Sequence, residues 1–385
     1  VMAIKFLYAK SFASTVLLVT VLALAVGFIK PGFTNDSQDK RITIENIPTY
    51  KLELTRSSVM IQKSWNYLLS KINSISSSKL RAQVLSMYQN TAPTFMALYQ
   101  TDKSKRTVYE KLLNEGLIDA NTVSKENLFP ELKKLTIIPQ PFFTAPGGSL
   151  NEHHYYPGGL VVSTAINVKA TIAALYAYKD LYDYVDLYDE AVAGQLLQAC
   201  AKPFVYQWYD DFEVTEDYLI AGAKASQVIG LSESIFRNLT VNVIIAQACA
   251  GIPLLSAHDE KTIVKAIKAA AIIAGRDPIA LGLLSFDGES LPTPHHQSWY
   301  VVGQSSHNEA LATYAQKQAI EALKEVFIKT YGMKTSDLKD KKFQAFKNYI
   351  GSQYSFMRIH SVMTKSKEPQ KAVSTLCLSL IDVGK

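Results

Sequence analysis

The segment 153–160, His-His-Tyr-Tyr-Pro-Gly-Gly-Leu, is the most informative part of the chain for chemistry. Imidazoles are common metal ligands, and two adjacent histidines before a turn can face one cleft. Pro157-Gly158-Gly159 predicts that tight turn, and Leu160 begins an apolar run with helical spacing. The pair by itself is as typical of a structural role as of a functional one.

Other histidines are weaker candidates. His258-Asp259 has the letters of a metal-binding doublet, but it lies where a loop enters a predicted helix, and Ser256 or Asp259 is better placed as the helix cap. His295-His296 follows two prolines and His307 lies further on, and together with residues 153–154 they could form a metal site. Histidines in a loop after two prolines usually face solvent, which favours the structural interpretation.

The order of several segments resembles the HD-domain superfamily of metal-dependent phosphohydrolases. A common pattern there is His-His-x-Tyr-Pro-Gly-Gly-Leu, followed after two residues by His-Thr at the start of a long helix. Residues 153–160 match its first part, residues 201–208 resemble the sequence after the His-Asp doublet of a bacterial subgroup, and residues 221–233 and 269–278 resemble later helices. The resemblance covers roughly residues 128–330 and implies an all-α fold with an HD-like helical domain.

Members of that family hold one or two divalent metals with His and Asp ligands, and the metals activate a water that attacks phosphorus. Carried across position by position, the ligand set falls on Ser163, Gln198-Ala199, Ser226-Gln227, the stretch Gln247–Cys249, and Ser306 or Asn308. Serine and glutamine are weak neutral ligands, alanine offers none, and Mg²⁺ or Mn²⁺ would find no carboxylate. The resemblance therefore implies a pseudoenzyme with no catalytic residue, no bound metal and no cofactor.

The resemblance also defines a vestigial pocket. Its members are His153, His154, Tyr156, Ser163, Gln198, Ala199, Lys202, Ser226, Gln227, Cys249 and Ser306. Lys202 could hold a phosphate as a point charge, although a lysine there is more often a surface residue. Three functions stay open: a binding or structural subunit, a nucleotide or anion sensor, and a phosphohydrolase whose metal ligands have moved to the remaining histidines.

Residues 11–29 contain no charge and would span roughly 28 Å as a helix, close to the thickness of a bilayer's hydrocarbon core. Lys5 and Lys10 precede this run, which favours the amino end in the cytoplasm. We therefore predict a membrane anchor at residues 1–29 with the domain on the extracytoplasmic, periplasmic side. The alternatives are a removed signal peptide with Ala23-Leu24-Ala25 as its cleavage site, and a buried core helix.

Composition and periodicity divide the rest of the chain. Residues 30–55 are predicted to be a tether, residues 56–127 an amino-terminal helical region, residues 128–330 the HD-like domain, and residues 331–385 a carboxy-terminal helical extension. Apolar residues recur at helical spacing from about Leu54 to Tyr99, which predicts a helix there, and residues 107–119 predict another. No run alternates with period two for long enough to predict a central sheet.

The chain has 385 residues, of which 48% are hydrophobic, which is enough for a sizeable core and excludes global disorder. Its net charge of +6 is too weak and too dispersed to indicate nucleic-acid binding. The three cysteines form no CxxC pair, so neither a zinc ribbon nor a disulfide framework is indicated. The partners that remain are a protein at the membrane, the membrane itself through residues 11–29, and a small molecule.

Overall fold

A computed structural model of the chain describes residues 41–131, 139–183, 187–209, 212–303 and 307–383. The described part is mostly helical, which confirms the all-α prediction. Its strands are two residues long: β1 pairs with β4 in parallel, and β2 pairs with β3 as an antiparallel hairpin. The predicted membrane segment, residues 1–29, lies outside the described residues.

The first half contains β1 (Ile42–Thr43), α1 (Lys51–Ser57), α2 (Val59–Asn73), α3 (Ser78–Gln89), α4 (Asp102–Asn114), α5 (Gly159–Tyr182), α6 (Tyr188–Leu197) and α7 (Lys202–Val205). The second half contains β2 (Leu219–Ile220), β3 (Ala223–Lys224), α8 (Ala225–Phe236), α9 (Val241–Gly251), α10 (Ala257–Ile273), α11 (Gln297–Gly303), α12 (His307–Lys329), α13 (Lys341–Tyr354), α14 (Phe356–Lys365), α15 (Pro369–Leu378) and β4 (Ile381–Asp382). Short 3₁₀ turns lie at Ile44–Asn46, Thr94–Leu98, Phe142–Thr144 and Thr335–Lys339.

Helix α5 lies at the centre of the core. Gly158 precedes it with φ +79°, a left-handed conformation that glycine adopts without steric cost, so the predicted Pro-Gly-Gly turn is confirmed. The helix packs against α2 on one side and α6 on another, and α6 packs in turn against α9 and α11. Its interior positions are apolar on most faces, as a helix surrounded by other helices requires.

The length and composition of α5 would also suit a membrane span. Within the described residues it is the one helix of 18 or more residues that is apolar enough, and most of its apolar window is buried in the body of the protein. A core helix passes the same test, because burial against protein and burial in lipid select the same residues.

The prediction of a tether over residues 30–55 is wrong for residues 42–55. Ile44, Ile47 and Leu54 are buried, and the backbone of Ile42 pairs with that of Ile381 at the other end of the chain. The polar residues between these apolar ones made the segment look like a linker. The strand that pairs with Ile42 is more than 300 residues away, so the local pattern could not reveal it.

The carboxy-terminal extension is likewise part of the main body, since Ile42–Lys385 forms one compact unit. Helix α13 packs against α1 and α2, and Ser58 donates a 2.6 Å hydrogen bond to the carbonyl of Ser352. The four predicted regions therefore do not correspond to separately packed bodies between residues 42 and 385.

The predicted helix from Leu54 to Tyr99 is broken into three. Ser58 and Ser77 each accept a hydrogen bond from a backbone N–H three residues later, which begins α2 and α3. A serine at this position satisfies an unpaired N–H and favours the start of a new helix over continuation. The helix predicted at residues 107–119 lies at Asp102–Asn114 and ends before Gly116, whose φ is +65°.

Helix α13 buries one charged side chain. Lys347 is 2% exposed, and its ammonium donates a 2.6 Å hydrogen bond to Gln344 and lies 4.9 Å from the centre of the Tyr155 ring. Burial and the charge of Lys324 together lower the pKa of Lys347 to about 7, against the partial opposition of Glu213. The folded state therefore releases a proton that the unfolded chain keeps up to a pH near 10.5.

We predict that Lys347→Met stabilises the protein most at about pH 6–7. Because the folded pKa lies below the unfolded one, the stability of the natural chain rises by up to about 1.4 kcal/mol per pH unit between the two values, and methionine removes this dependence. Urea denaturation of both proteins from about pH 6 to pH 10 measures the difference. Lys329→Met, at an exposed position, is the control. The prediction would be contradicted if the difference in the free energy of unfolding between Lys347→Met and the natural chain did not shrink as pH rises.

Candidate functional site

The two histidines singled out by the sequence form a buried pair. His153 is 2% exposed and His154 is 8% exposed, and their Nδ1 atoms lie 3.0 Å apart, so one ring donates a hydrogen bond to the other. His154 has a left-handed backbone with φ +55°. A non-glycine residue keeps this conformation only where surrounding contacts require it.

Side chains from two helices supply those contacts. Gln316 of α12 accepts a 2.8 Å hydrogen bond from the backbone of Tyr155 and donates to the carbonyl of Leu150 at 3.0 Å. On the other side, the Lys202 ammonium donates a 2.6 Å hydrogen bond to the carbonyl of Gly147. The N–H of Gly147 donates to the carbonyl of His154 at 3.0 Å, so the histidine loop is held between α12 and α7.

Ser163, the first position of the implied ligand set, lies beside this loop. A Cβ atom added to Gly147 would lie 2.7 Å from the Cβ of His154 and 3.2 Å from the hydroxyl of Ser163. Only a glycine allows the two segments to approach this closely. The Ser163 hydroxyl donates to the carbonyl of Leu160 at 3.1 Å, one turn back along α5.

The sequence analysis missed Glu309, which interacts with the histidine pair. Its Oε2 lies 3.3 Å from Nε2 of His153, close enough for an ion pair but without hydrogen-bonding geometry. Burial acts to raise the pKa of Glu309, but the charges of His153, Lys202 and Lys224 outweigh it and hold the pKa far below its usual range. Glu309 directly follows Asn308, one of the two positions that the resemblance assigned to the final aspartate.

A second acidic residue, Glu152, links the loop to the hairpin β2–β3. It accepts a 2.6 Å hydrogen bond from the Lys224 ammonium and lies 2.8 Å from the hydroxyl of Tyr206. The same hydroxyl lies 3.0 Å from Asp217, which in turn accepts hydrogen bonds from the Ser226 hydroxyl at 2.7 Å and backbone at 3.2 Å. One chain of polar contacts therefore runs from the histidine loop to the first turn of α8. We call this group of side chains the polar cluster: His153, His154, Glu309, Lys202, Glu152, Lys224, Tyr206, Asp217 and Ser226.

Burial and charge explain the ionisation of this cluster. Burial acts to raise the pKa of Glu152, but the ammonium of Lys224 and the donated hydrogen bonds lower it to about 2. Burial lowers the pKa of both His153 and His154, and the charge of Lys202 lowers each further. Glu152 and Glu309 are therefore ionised at neutral pH, and burial favours the neutral imidazoles of His153 and His154.

The positions that the resemblance assigned to metal ligands lie in two places. Ser226 and the retained Lys202 belong to the polar cluster, and Ser163 borders it. Between the helices that follow, Gln227 donates to the carbonyl of Ala248 at 3.1 Å, and Gln247 accepts from the Ser234 hydroxyl at 2.6 Å and donates to the carbonyl of Leu197 at 3.0 Å. Ala199 and Cys249 are buried, Gln198 ends α6, and the buried Tyr156 hydroxyl has no hydrogen-bond partner among the described residues.

Ser306 lies outside the described residues. Asn308, the alternative for the same position, donates to Asn167 at 3.5 Å. The expectation that Lys202 is a surface residue is wrong: it is 3% exposed, and its ammonium donates to the carbonyl of Gly147 in the histidine loop. The capping role expected at His258-Asp259 is confirmed, since Ser256 accepts from the backbone of Asp259 at 3.2 Å.

His295 and His296 have partners within the protein, and the side chain of His307 lies outside the described part of the structure. His295 lies 2.7 Å from the Tyr300 hydroxyl and 3.7 Å from Glu260, and His296 lies 2.7 Å from the Ser298 hydroxyl. Both are half-buried, so the expectation that they face solvent is only partly met. Across the described ranges, no group of three or more His, Cys, Asp or Glu residues is arranged to hold a metal ion.

Comparisons of the chain with protein-family models, with curated proteins and with solved structures gave no match. The relation to the HD-domain superfamily therefore rests on the motifs at residues 153–160 and the segments that follow them, and it stays a prediction. The geometry of the polar cluster is independent of that relation.

Replacing the Glu152 carboxylate tests the cluster. We predict that Glu152→Gln lowers the free energy of unfolding by about 2 kcal/mol at pH 7, because it removes the counter-charge of Lys224. The folded pKa lies below the unfolded one, so this contribution is present above about pH 4.5 and is lost as pH falls towards 2. Urea denaturation between pH 7 and the lowest pH at which the chain folds measures it. Glu325→Gln, in an exposed ion pair, should change little, and an equal loss in both variants would contradict the assignment.

Proposed function

We propose that the chain is a catalytically inactive, HD-like helical subunit that binds a partner and does not hydrolyse phosphate esters. The observation that carries the proposal is the chemistry of the assigned ligand positions. Ser163, Ala199 and Ser226 are buried there, and both serine hydroxyls are already used in hydrogen bonds within the protein. A divalent cation needs carboxylate or imidazole donors to lower the pKa of a bound water, and these positions offer none.

The charges of the neighbouring cluster support the same conclusion. Glu152 accepts a hydrogen bond from the Lys224 ammonium, nearby lysines lower the pKa of Glu309, and Asp217 lies 3.0 Å from the Tyr206 hydroxyl. A cleft that had held metal and then lost it would contain repelling carboxylates. In this cluster the carboxylates are matched by protein groups, so the loop keeps its shape without an ion.

The proposal includes a place in the cell. Residues 11–29 would anchor the chain in a membrane, and the helical body would lie on the extracytoplasmic side, where it would serve a protein partner. The positive charges that precede the apolar run support this orientation. Chemical labelling of single cysteines from outside intact cells tests it.

A second candidate, an anion or nucleotide sensor, is favoured by Lys202. Its ammonium is buried beside two imidazoles, and the hydrogen bond to Gly147 uses one of its three N–H groups. An oxyanion that displaced Glu309 would meet two lysines. Thermal-shift measurements with nucleotides and inorganic phosphate, on the natural chain and on Lys202→Met, decide between the candidates: stabilisation that Lys202→Met abolishes favours the sensor.

The HD-like arrangement itself is tested by restoring the ligand set. We predict that a variant with Ser163→His, Gln198→His, Ala199→Asp and Ser226→His binds about one equivalent of Mn²⁺ or Zn²⁺, whereas the natural chain binds none. Plasma mass spectrometry after dialysis measures bound metal, and circular dichroism checks folding.

The matched control carries Ser78→His, Gln89→His, Ala173→Asp and Ser336→His, all at exposed positions: the first two at opposite ends of α3, the third on α5 and the fourth in the turn Thr335–Lys339. A restored variant that folds but binds no more metal than this control would contradict the HD-like arrangement. Stoichiometric metal with phosphodiesterase turnover in the natural chain would overturn the proposed function itself.

A further inference from the structure

A large cavity adjoins the polar cluster, with Asp217 in its wall. It has a volume of about 1260 Å³ and is bounded by the start of α1, the turns at residues 122–131, the segment 139–144 and the stretches 205–209 and 215–218. Aromatic side chains form much of its wall: Tyr50, Phe129, Trp208, Tyr209 and Tyr218. Nothing in the proposed pseudoenzyme function uses this cavity.

Hydrogen bonds hold the cavity wall in place. The indole N–H of Trp208 donates to the carbonyl of Thr144 at 2.9 Å, and the hydroxyl of Tyr218 donates to the carbonyl of Leu128 at 2.6 Å. Gln207 donates to the carbonyl of Phe204 at 2.9 Å. A wall fixed in this way is open before a ligand arrives, which reduces the entropic cost of binding.

The lining of the cavity is acidic. Its ionisable members are four carboxylates and one ammonium, a net charge of −3 (1 − 4): Glu126, Glu131, Glu216, Asp217 and Lys51. Lys51 has partners within the protein: its ammonium donates a hydrogen bond to the carbonyl of Tyr209 at 2.9 Å and lies 4.6 Å from the centre of the Phe212 ring. Glu126 pairs with Lys125, and Asp217 belongs to the polar cluster.

Two of the carboxylates are available to a ligand. Within the described ranges, the side chains of Glu131 and Glu216 make no hydrogen bond or ion pair, and both residues are exposed at the rim. Tyr50 and Tyr209 beside them are 66% and 54% exposed. Carboxylates next to exposed aromatic faces attract ammonium and guanidinium groups through charge and through cation–π contact.

A buried acceptor in the wall gives a second, independent indication. Gln140 lines the cavity and is 8% exposed; its amide nitrogen donates to the carbonyls of Pro203, at 3.1 Å, and Tyr206. Its Oε1 accepts no hydrogen bond from the described residues. A buried acceptor without a donor costs free energy, and an N–H from a bound molecule would recover it.

We propose that this cavity binds an extended basic peptide segment of a partner protein. The volume exceeds the range of about 300–1,000 Å³ that small ligands fill, whereas a peptide of several residues would occupy it. Lysine or arginine side chains would meet Glu131 and Glu216 and lie against the tyrosines, and peptide N–H groups would meet amide acceptors such as Gln140. The proposal rests on the proposed binding function and names the chemistry of its partner.

The test uses the full chain and two fluorescein-labelled heptapeptides of alternating proline with lysine or with arginine, which are extended in solution. Fluorescence anisotropy should show binding of both, weakening as salt rises from about 50 to about 300 mM, and no binding of the glutamate–proline counterpart. The double variant Glu131→Gln/Glu216→Gln should bind about fivefold more weakly.

The matched control, Glu110→Gln/Glu325→Gln, makes the same change in net charge at exposed positions outside the cavity lining and should bind as the natural chain does. Trp208→Phe should lose any change in intrinsic fluorescence on binding, which locates the peptide. The proposal would be overturned if neither basic peptide bound the chain. It would also be overturned if the two double variants lost peptide affinity equally. Binding of spermidine without either peptide would also overturn it and would assign the cavity to a small amine. None of these outcomes alters the metal measurement that tests the pseudoenzyme function.

Discussion

The hydrogen bond from the buried ammonium of Lys202 to the carbonyl of Gly147 is the interaction on which the centre of the structure depends. A lysine withdrawn from water is unfavourable unless hydrogen bonds and counter-charges compensate it. The carbonyl of Gly147 supplies the hydrogen bond, and Glu309 supplies the nearest opposing charge. These requirements bring α7, the loop before α5 and the first turn of α12 to one point. The left-handed backbone of His154 is held between them.

Other charged side chains around Lys202 are also compensated by opposite charges or hydrogen bonds. Glu152 faces Lys224 at the end of a hairpin whose turn is Ala221-Gly222, and both turn residues have positive φ. Asp217 lies at the amino end of α8, where a carboxylate also favours the helix dipole. The charged groups therefore stabilise the placement of helices as well as of each other. In the proposed function, this internal balance replaces the balance that a metal ion would provide.

The cavity and the histidine loop meet at one wall. Tyr206 contacts Glu152 on the side of the loop and Asp217 on the side of the cavity. A molecule bound in the cavity would therefore lie one hydroxyl group away from the polar cluster. The two sites differ in character, because His153 and His154 of the loop are buried, whereas exposed carboxylates and exposed tyrosines line the cavity.

Local pattern alone determined the helical class, the Pro-Gly-Gly turn before α5 and the cap at Ser256, since each depends on residues within a few positions of one another. Only the tertiary structure decided the burial of Lys202, the role of Glu309 and the packing of residues 42–55. The partners of those residues lie 55 to more than 300 positions away. Charge compensation and strand pairing act through space, and sequence spacing does not record which distant residue will satisfy a buried group.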